Sequence, residues 1–204
     1  MDIATLSCFL LASALLTIAP GPDIMYLLTI SLSDGAKSGV ALAGGLVSGV
    51  FVHTALVILG VAALIQQSPA ALSALKYGGA LYLSYLAWRT FRDKSELRIG
   101  GADASCKLFP LYWRGVLMNV LNPKVLLFFL AFLPQFVPPG SETVGRQLAL
   151  LGLIFAAQAF LIFSVVAVCA ARLRRVLLQK KDVGRILHRA QGAVLLLIAA
   201  LLLL

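Results

Sequence analysis

Two ionisable side chains of opposite sign stand inside stretches that are otherwise apolar. They are Asp23, in Ala19-Pro20-Gly21-Pro22-Asp23, and Lys124, in Asn119-Val120-Leu121-Asn122-Pro123-Lys124. Each directly follows a proline, which has no backbone N–H to donate and therefore kinks or unwinds a helix. Apolar residues run from Ile3 to Ile18 and resume from Ile24 to Leu32, so the first break interrupts what would otherwise be one long helix. The chemistry open to these residues is noncovalent: a carboxylate and an ammonium held away from water, able to neutralise each other or to bind charged groups. A plain proline kink, with Asp23 facing a polar neighbour, is the simpler reading. The functional reading is stronger, because a carboxylate at membrane depth is costly and marks a pathway by default, and because unpaired backbone there is tolerated only where it lines a cavity or is buried in protein.

The elements that must position these residues follow from composition. The chain has 204 residues, 61% hydrophobic and 12% charged, with a mean hydropathy of +0.98, which excludes an ordinary soluble domain. At about 20 apolar residues per spanning helix, six spans are expected, at roughly 3–32 (broken), 40–65, 69–88, 112–137, 147–171 and 188–204. The expected fold class is thus an all-α membrane protein of one domain, 1–204, inserted in many passes. The N-terminus has Asp2 and no basic region ahead of its apolar run, so it does not read as a cleaved signal peptide.

The net charge of +9 is not a nucleic-acid footprint, because of where the charges lie. Apart from Lys76, Lys124 and Arg146, all 17 basic residues fall in three alternate loops: Lys37 in the first, Arg89 to Arg114 in the second, Arg172 to Arg189 in the third. By the positive-inside rule these loops face the cytoplasm and both termini face outward. Besides lipid, anionic headgroups are the one further contact these runs invite, at the third loop.

No motif of covalent or cofactor chemistry is present. Cys8, Cys106 and Cys169 are odd in number and scattered, without a C-x-x-C pair, and Cys8 and Cys169 read as apolar filler. His53 and His188 stand far apart with no ligand cluster, and no hydrolase, nucleotide-loop or zinc signature occurs, so neither an enzyme nor a bound cofactor or metal is expected. Ala41, Gly45 and Gly49 form a small-residue ridge that could join two copies in a homodimer or serve an internal contact equally well. His53, four residues beyond Gly49, shares its face. It is either a hydrogen-bonded packing residue or a proton-coupling group. In the third segment Tyr77 and Trp88 suit the interfaces, whereas Tyr82 falls nearer the middle and could line a pocket.

The two breaks also match each other. Asn122-Pro123 has the N-cap and first-turn residues of a new half-helix, whose amides would attract an anion. Pro22-Asp23 superposes on Pro123-Lys124 at an offset of 101, and Gly79-Ala80 on Gly192-Ala193 at an offset of 113. Three spans per half would place the halves in opposite orientations, an inverted repeat with interrupted helices at corresponding places. Repeat one covers about 1–92, a cytoplasmic linker about 93–110, and repeat two about 111–204.

Together, Ala19-Pro20-Gly21-Pro22-Asp23, Lys76-Tyr77-Gly78-Gly79-Ala80-Leu81-Tyr82-Leu83 and Asn122-Pro123-Lys124 resemble the LysE/RhtB family of bacterial amino-acid exporters, over essentially the whole chain. The resemblance implies a six-helix carrier of the bacterial cytoplasmic (inner) membrane that expels amino acids in exchange for protons. The aspartate after Pro-Gly-Pro is similar to the RhtB branch for neutral substrates such as threonine, homoserine or leucine. The residues suggest how: Asp23 and Lys124 would pair with each other, and a zwitterion would replace that pair, its ammonium on Asp23, its carboxylate on Lys124 and the amides after Asn122. Gly21, Pro22, Asn119, Pro123 and Tyr82 complete the expected binding set, with protons carried by Asp23 through His53. A divalent-metal or other small-cation exporter is the alternative from another class. It is short of ligands, since hard cations take about six oxygens and Asp23 is the one acid inside an expected span.

Overall fold

The computed structural model describes residues 3–19, 21–67, 69–92, 107–138, 141, 143–174 and 183–203, and all regular structure among them is helical. In order these are α1 (Ile3–Ile18), α2 (Pro22–Asp34), α3 (Ala36–Gln67), α4 (Pro69–Arg92), α5 (Leu108–Val120), α6 (Pro123–Leu127), α7 (Val144–Arg172) and α8 (Val183–Leu203). The segment begun by α6 continues through a π turn at Phe128–Phe132 and a 3-10 turn at Leu133–Phe136.

Both expected breaks are present. α1 and α2 meet at a bend of 58°, and α5 meets the segment Pro123–Phe136, which α6 begins, at 49°. In each case the new helix opens with proline in its first turn, Pro22 or Pro123, where the missing N–H costs nothing and the fixed φ is already helical. Among the described residues α3, over Ala36–Gly60, and α7 are long and apolar enough to cross a membrane alone, and each bent pair adds one more crossing if counted as a unit. The expected third and sixth spans are helices at the expected places, α4 and α8, and among the described residues Gly192–Leu201 of α8 is a shorter apolar stretch. Residues 93–106 of the expected linker lie outside the described residues, and α5 already begins at Leu108.

α3 is the strut of the bundle, packed against α2, α5 and α7, while α4 packs chiefly on α8. The α3–α5 crossing brings backbone against backbone: a Cβ at Gly45 would collide with the Tyr112 carbonyl, and one at Gly115 with the Leu42 carbonyl. The small-residue ridge is therefore spent on a contact inside the chain. Tyr112 Oη donates to Ser48 Oγ at 2.8 Å beside it. Around the second break the bundle is aromatic: Phe128 stacks near Phe132 at 4.8 Å between centroids, Phe129 on Phe155 at 5.0 Å and Phe132 on Phe136 at 5.0 Å. The π turn adds one residue to a helical turn, and it leaves Phe128, Phe129 and Phe132 all buried. Cys8 and Cys169 are exposed on the outer faces rather than filling the interior, and Cys106 lies outside the described residues.

Because the Tyr112 carbonyl is backbone and cannot swing aside, Gly45→Ala should cost about 1–3 kcal/mol. Gly60→Ala on the same helix meets open space and should be neutral or stabilising by up to about 1 kcal/mol. Thermal melting of the purified protein in detergent checks the pair.

Candidate functional site

A helix break inside an apolar bundle frees carbonyl oxygens. In an unbroken helix the carbonyl of residue i accepts from the N–H of residue i+4. Pro20 and Pro123 have no N–H, so Leu16 and Asn119 lose their helical partners by covalent structure alone. An unbonded carbonyl away from water costs about 1–3 kcal/mol. Both carbonyls find donors on other segments. Lys124 Nζ donates to Leu16 O at 2.7 Å and to Ala19 O at 2.8 Å, closing the end of α1 from the second break. His53 Nε2, from α3, lies 2.9 Å from Asn119 O, which also accepts from Asn122 N at 2.9 Å. Since a carbonyl can only accept, the hydrogen is on Nε2.

These donors converge on the residues singled out by type. Asp23, His53, Asn119, Asn122 and Lys124 are exposed by only 6%, 0%, 2%, 5% and 7%. Asn119 Nδ2 donates to Asp23 Oδ2 at 3.3 Å, while Asp23 Oδ1 has no hydrogen-bond partner. Asp23 occupies the first turn of α2, where the helix dipole favours a negative charge. Asn122 caps the segment of α6, its Oδ1 accepting from Lys124 N at 3.0 Å. Asp23, Asn119, Asn122 and Lys124 line one cavity with Gly21, the α1 end at Leu16, Thr17 and Ala19, and apolar walls from Val50, Phe155 and Phe163. Its free space is about 20 Å³, room for about one water. An amino acid needs the walls to part.

The family profile for LysE type translocators matches residues 14–204. The chain belongs to the LysE type translocator family. This LysE type translocator is 28% identical to a leucine efflux protein of Enterobacter sp. (strain 638), over 87% of the chain and 85% of that protein. It is 29% identical to a homoserine/homoserine lactone efflux protein of Salmonella typhimurium, over 95% of the chain and 93% of that protein. With an uncharacterised membrane protein of Vibrio cholerae the identity is 32%, over 70% of the chain and 69% of the relative. No solved structure matches the chain. Family and helices together make it a multi-pass membrane protein.

Several expectations at the site change. No hydrogen bond joins Lys124 to Asp23; the ammonium sits on uncharged carbonyls, because the broken end of α1 supplies two acceptors at once. No hydrogen bond joins His53 to Asp23; Asn119 bonds both, its carbonyl toward His53 and its amide toward Asp23. The Lys124 amide, one of those expected to receive an anion, is already taken by Asn122 Oδ1. Pro22 and Pro123 are exposed and shape the helix starts without lining the cavity. Tyr82 is also outside it, on the outward face of α4 with its ring 6.0 Å from that of Tyr85. Among the described residues no group of three or more His, Cys, Asp or Glu gathers, so the cation reading gains no donor set there. Sequence reasoning missed the Leu16 and Ala19 carbonyls, although Pro20 four residues after Leu16 was a usable signal. It also missed Phe155 and Phe163, whose eight-residue spacing puts them on one face of α7.

The cap makes a stability prediction. Asn122→Ala should lose about 0.5–2 kcal/mol, and Asn122→Ser should recover most of it, since serine caps nearly as well. Detergent melting curves of the two variants against wild type check this.

Proposed function

We propose that the chain exports neutral amino acids, leucine-, homoserine- or threonine-like, from the bacterial cytoplasm in exchange for protons. Its fold in this reading is six spans in two inverted three-helix repeats, α1/α2 with α3 and α4, then α5/α6 with α7 and α8, both termini outside the inner membrane. The observation that carries the reading is the shared cavity: two buried opposite charges, not bonded to each other, one with a free carboxylate oxygen and the other resting on backbone carbonyls. The printed names of the leucine and homoserine relatives support the substrate class, as do walls such as Val50, Phe155 and Phe163, which offer a substrate side chain no second charge.

The substrate ammonium binds Asp23, and its carboxylate draws Lys124 off Leu16 and Ala19. A full negative charge attracts the ammonium more strongly than two carbonyl dipoles do in a medium of low dielectric. The exchange strips the end of α1 of its donor, at about 1–3 kcal/mol per carbonyl, and so couples occupancy to movement of the broken helix. Protonation of Asp23 neutralises the carboxylate and carries the proton inward in the return step.

Cells loaded with a panel of dipeptides should release leucine or homoserine faster with this protein than without it. Asp23→Asn and Lys124→Gln should each cut that release at least roughly tenfold, as expected from losing a charge-assisted bond of about 1.5–3 kcal/mol. Wild-type release by either variant would remove that residue from the mechanism.

A further inference from the structure

His53 is completely buried, yet the transport scheme above gives it no contact with substrate. Its ring makes one hydrogen bond, from Nε2 to the Asn119 carbonyl, and Nδ1 has no hydrogen-bond partner. That carbonyl is the one Pro123 leaves without a helical donor. One turn earlier on the same face of α3, Gly49 gives the Asn119 side chain its room: a Cβ there would lie 2.8 Å from both Cβ and Oδ1 of Asn119. The far end of Asn119 reaches Asp23 through Nδ2. α3 thus grips Asn119 at two points, backbone at His53 and side chain at Gly49, and the free end of the residue is aimed at the carboxylate.

We infer that His53 is a positioning residue, which holds the backbone carbonyl orphaned by Pro123 and thereby fixes the Asn119 amide against Asp23. The inference rests on the reading of Asp23 as the site of the substrate ammonium. It assigns His53 a role other than carrying the transported proton. The path from His53 to Asp23 runs through a backbone carbonyl and a carboxamide, neither of which exchanges protons as an acid or base near neutral pH.

Glutamine separates the two roles, because its terminal amide can donate from nearly the position of Nε2 but does not titrate. Leucine removes the donor. Release of leucine from dipeptide-loaded cells, measured as KM and maximal rate between about pH 6 and 8, should give His53→Gln the wild-type pH profile. Its KM should stay within about threefold of wild type, whereas His53→Leu raises KM roughly tenfold, the effect of removing the donor that α3 supplies to the Asn119 carbonyl and leaving it on Asn122 N alone. Loss of the pH dependence in His53→Gln, or equal defects in both variants, would overturn the inference and return His53 to proton transfer. So would a wild-type KM in His53→Leu. Melting of the purified proteins gives a second reading: Gln close to wild type and Leu lower support the contact, and no difference between them overturns it. If wild type itself releases no amino acid, the transport reading fails, and the melting comparison alone decides whether His53 holds the carbonyl.

Discussion

Backbone carbonyls at a helix break have nowhere to go in an apolar bundle unless a side chain from elsewhere reaches them. Most of the site follows from that constraint. Pro20 and Pro123 deprive the carbonyls of Leu16 and Asn119 of their i+4 donors by covalent structure, and side-chain donors from α6 and α3, Lys124 and His53, answer them, His53 beside Asn122 N. The two breaks are therefore tied to other helices through their defects. Lys124 serves twice, as the positive charge of the cavity and as the donor that closes α1. Any ligand that claims its charge also unties the helix end.

This dual use bears on how a small site could drive a large movement. The cavity holds little more than a water, so binding and opening are one event. Close backbone packing of α3 on α5 at Gly45 and Gly115 makes the α3–α5 pair a poor place to deform. The bends at the two breaks are a better one, because the i to i+4 ladder is already interrupted there. Asn119 stands at the boundary, gripped by α3 on one side and facing Asp23 on the other.

Much of this was legible in the sequence. Prolines beside charged residues in apolar runs placed both breaks, and Asn122-Pro123 announced a capped helix start. These are local signals, set by covalent geometry and by the first turn of a helix. What was not legible depended on distance in space. No hydrogen bond joins the charge pair expected from opposite signs, because two carbonyls at the end of α1 hold Lys124. Tyr82 was placed by depth along its helix, but depth does not say which face turns inward, and α4 turns it out. The Gly45 to Gly49 ridge named a close contact without naming the partner, which proved to be α5. The π turn at Phe128–Phe132 has no sequence signature apart from the aromatic side chains it lets into the core.

The central claim is that substrate takes Lys124 away from the broken end of α1. It is tested most directly by an experimental structure of the protein with leucine or homoserine bound. The account predicts the substrate carboxylate on Lys124 Nζ, the substrate ammonium on Asp23, and the carbonyls of Leu16 and Ala19 released. A bound substrate with Lys124 still donating to both carbonyls would contradict it.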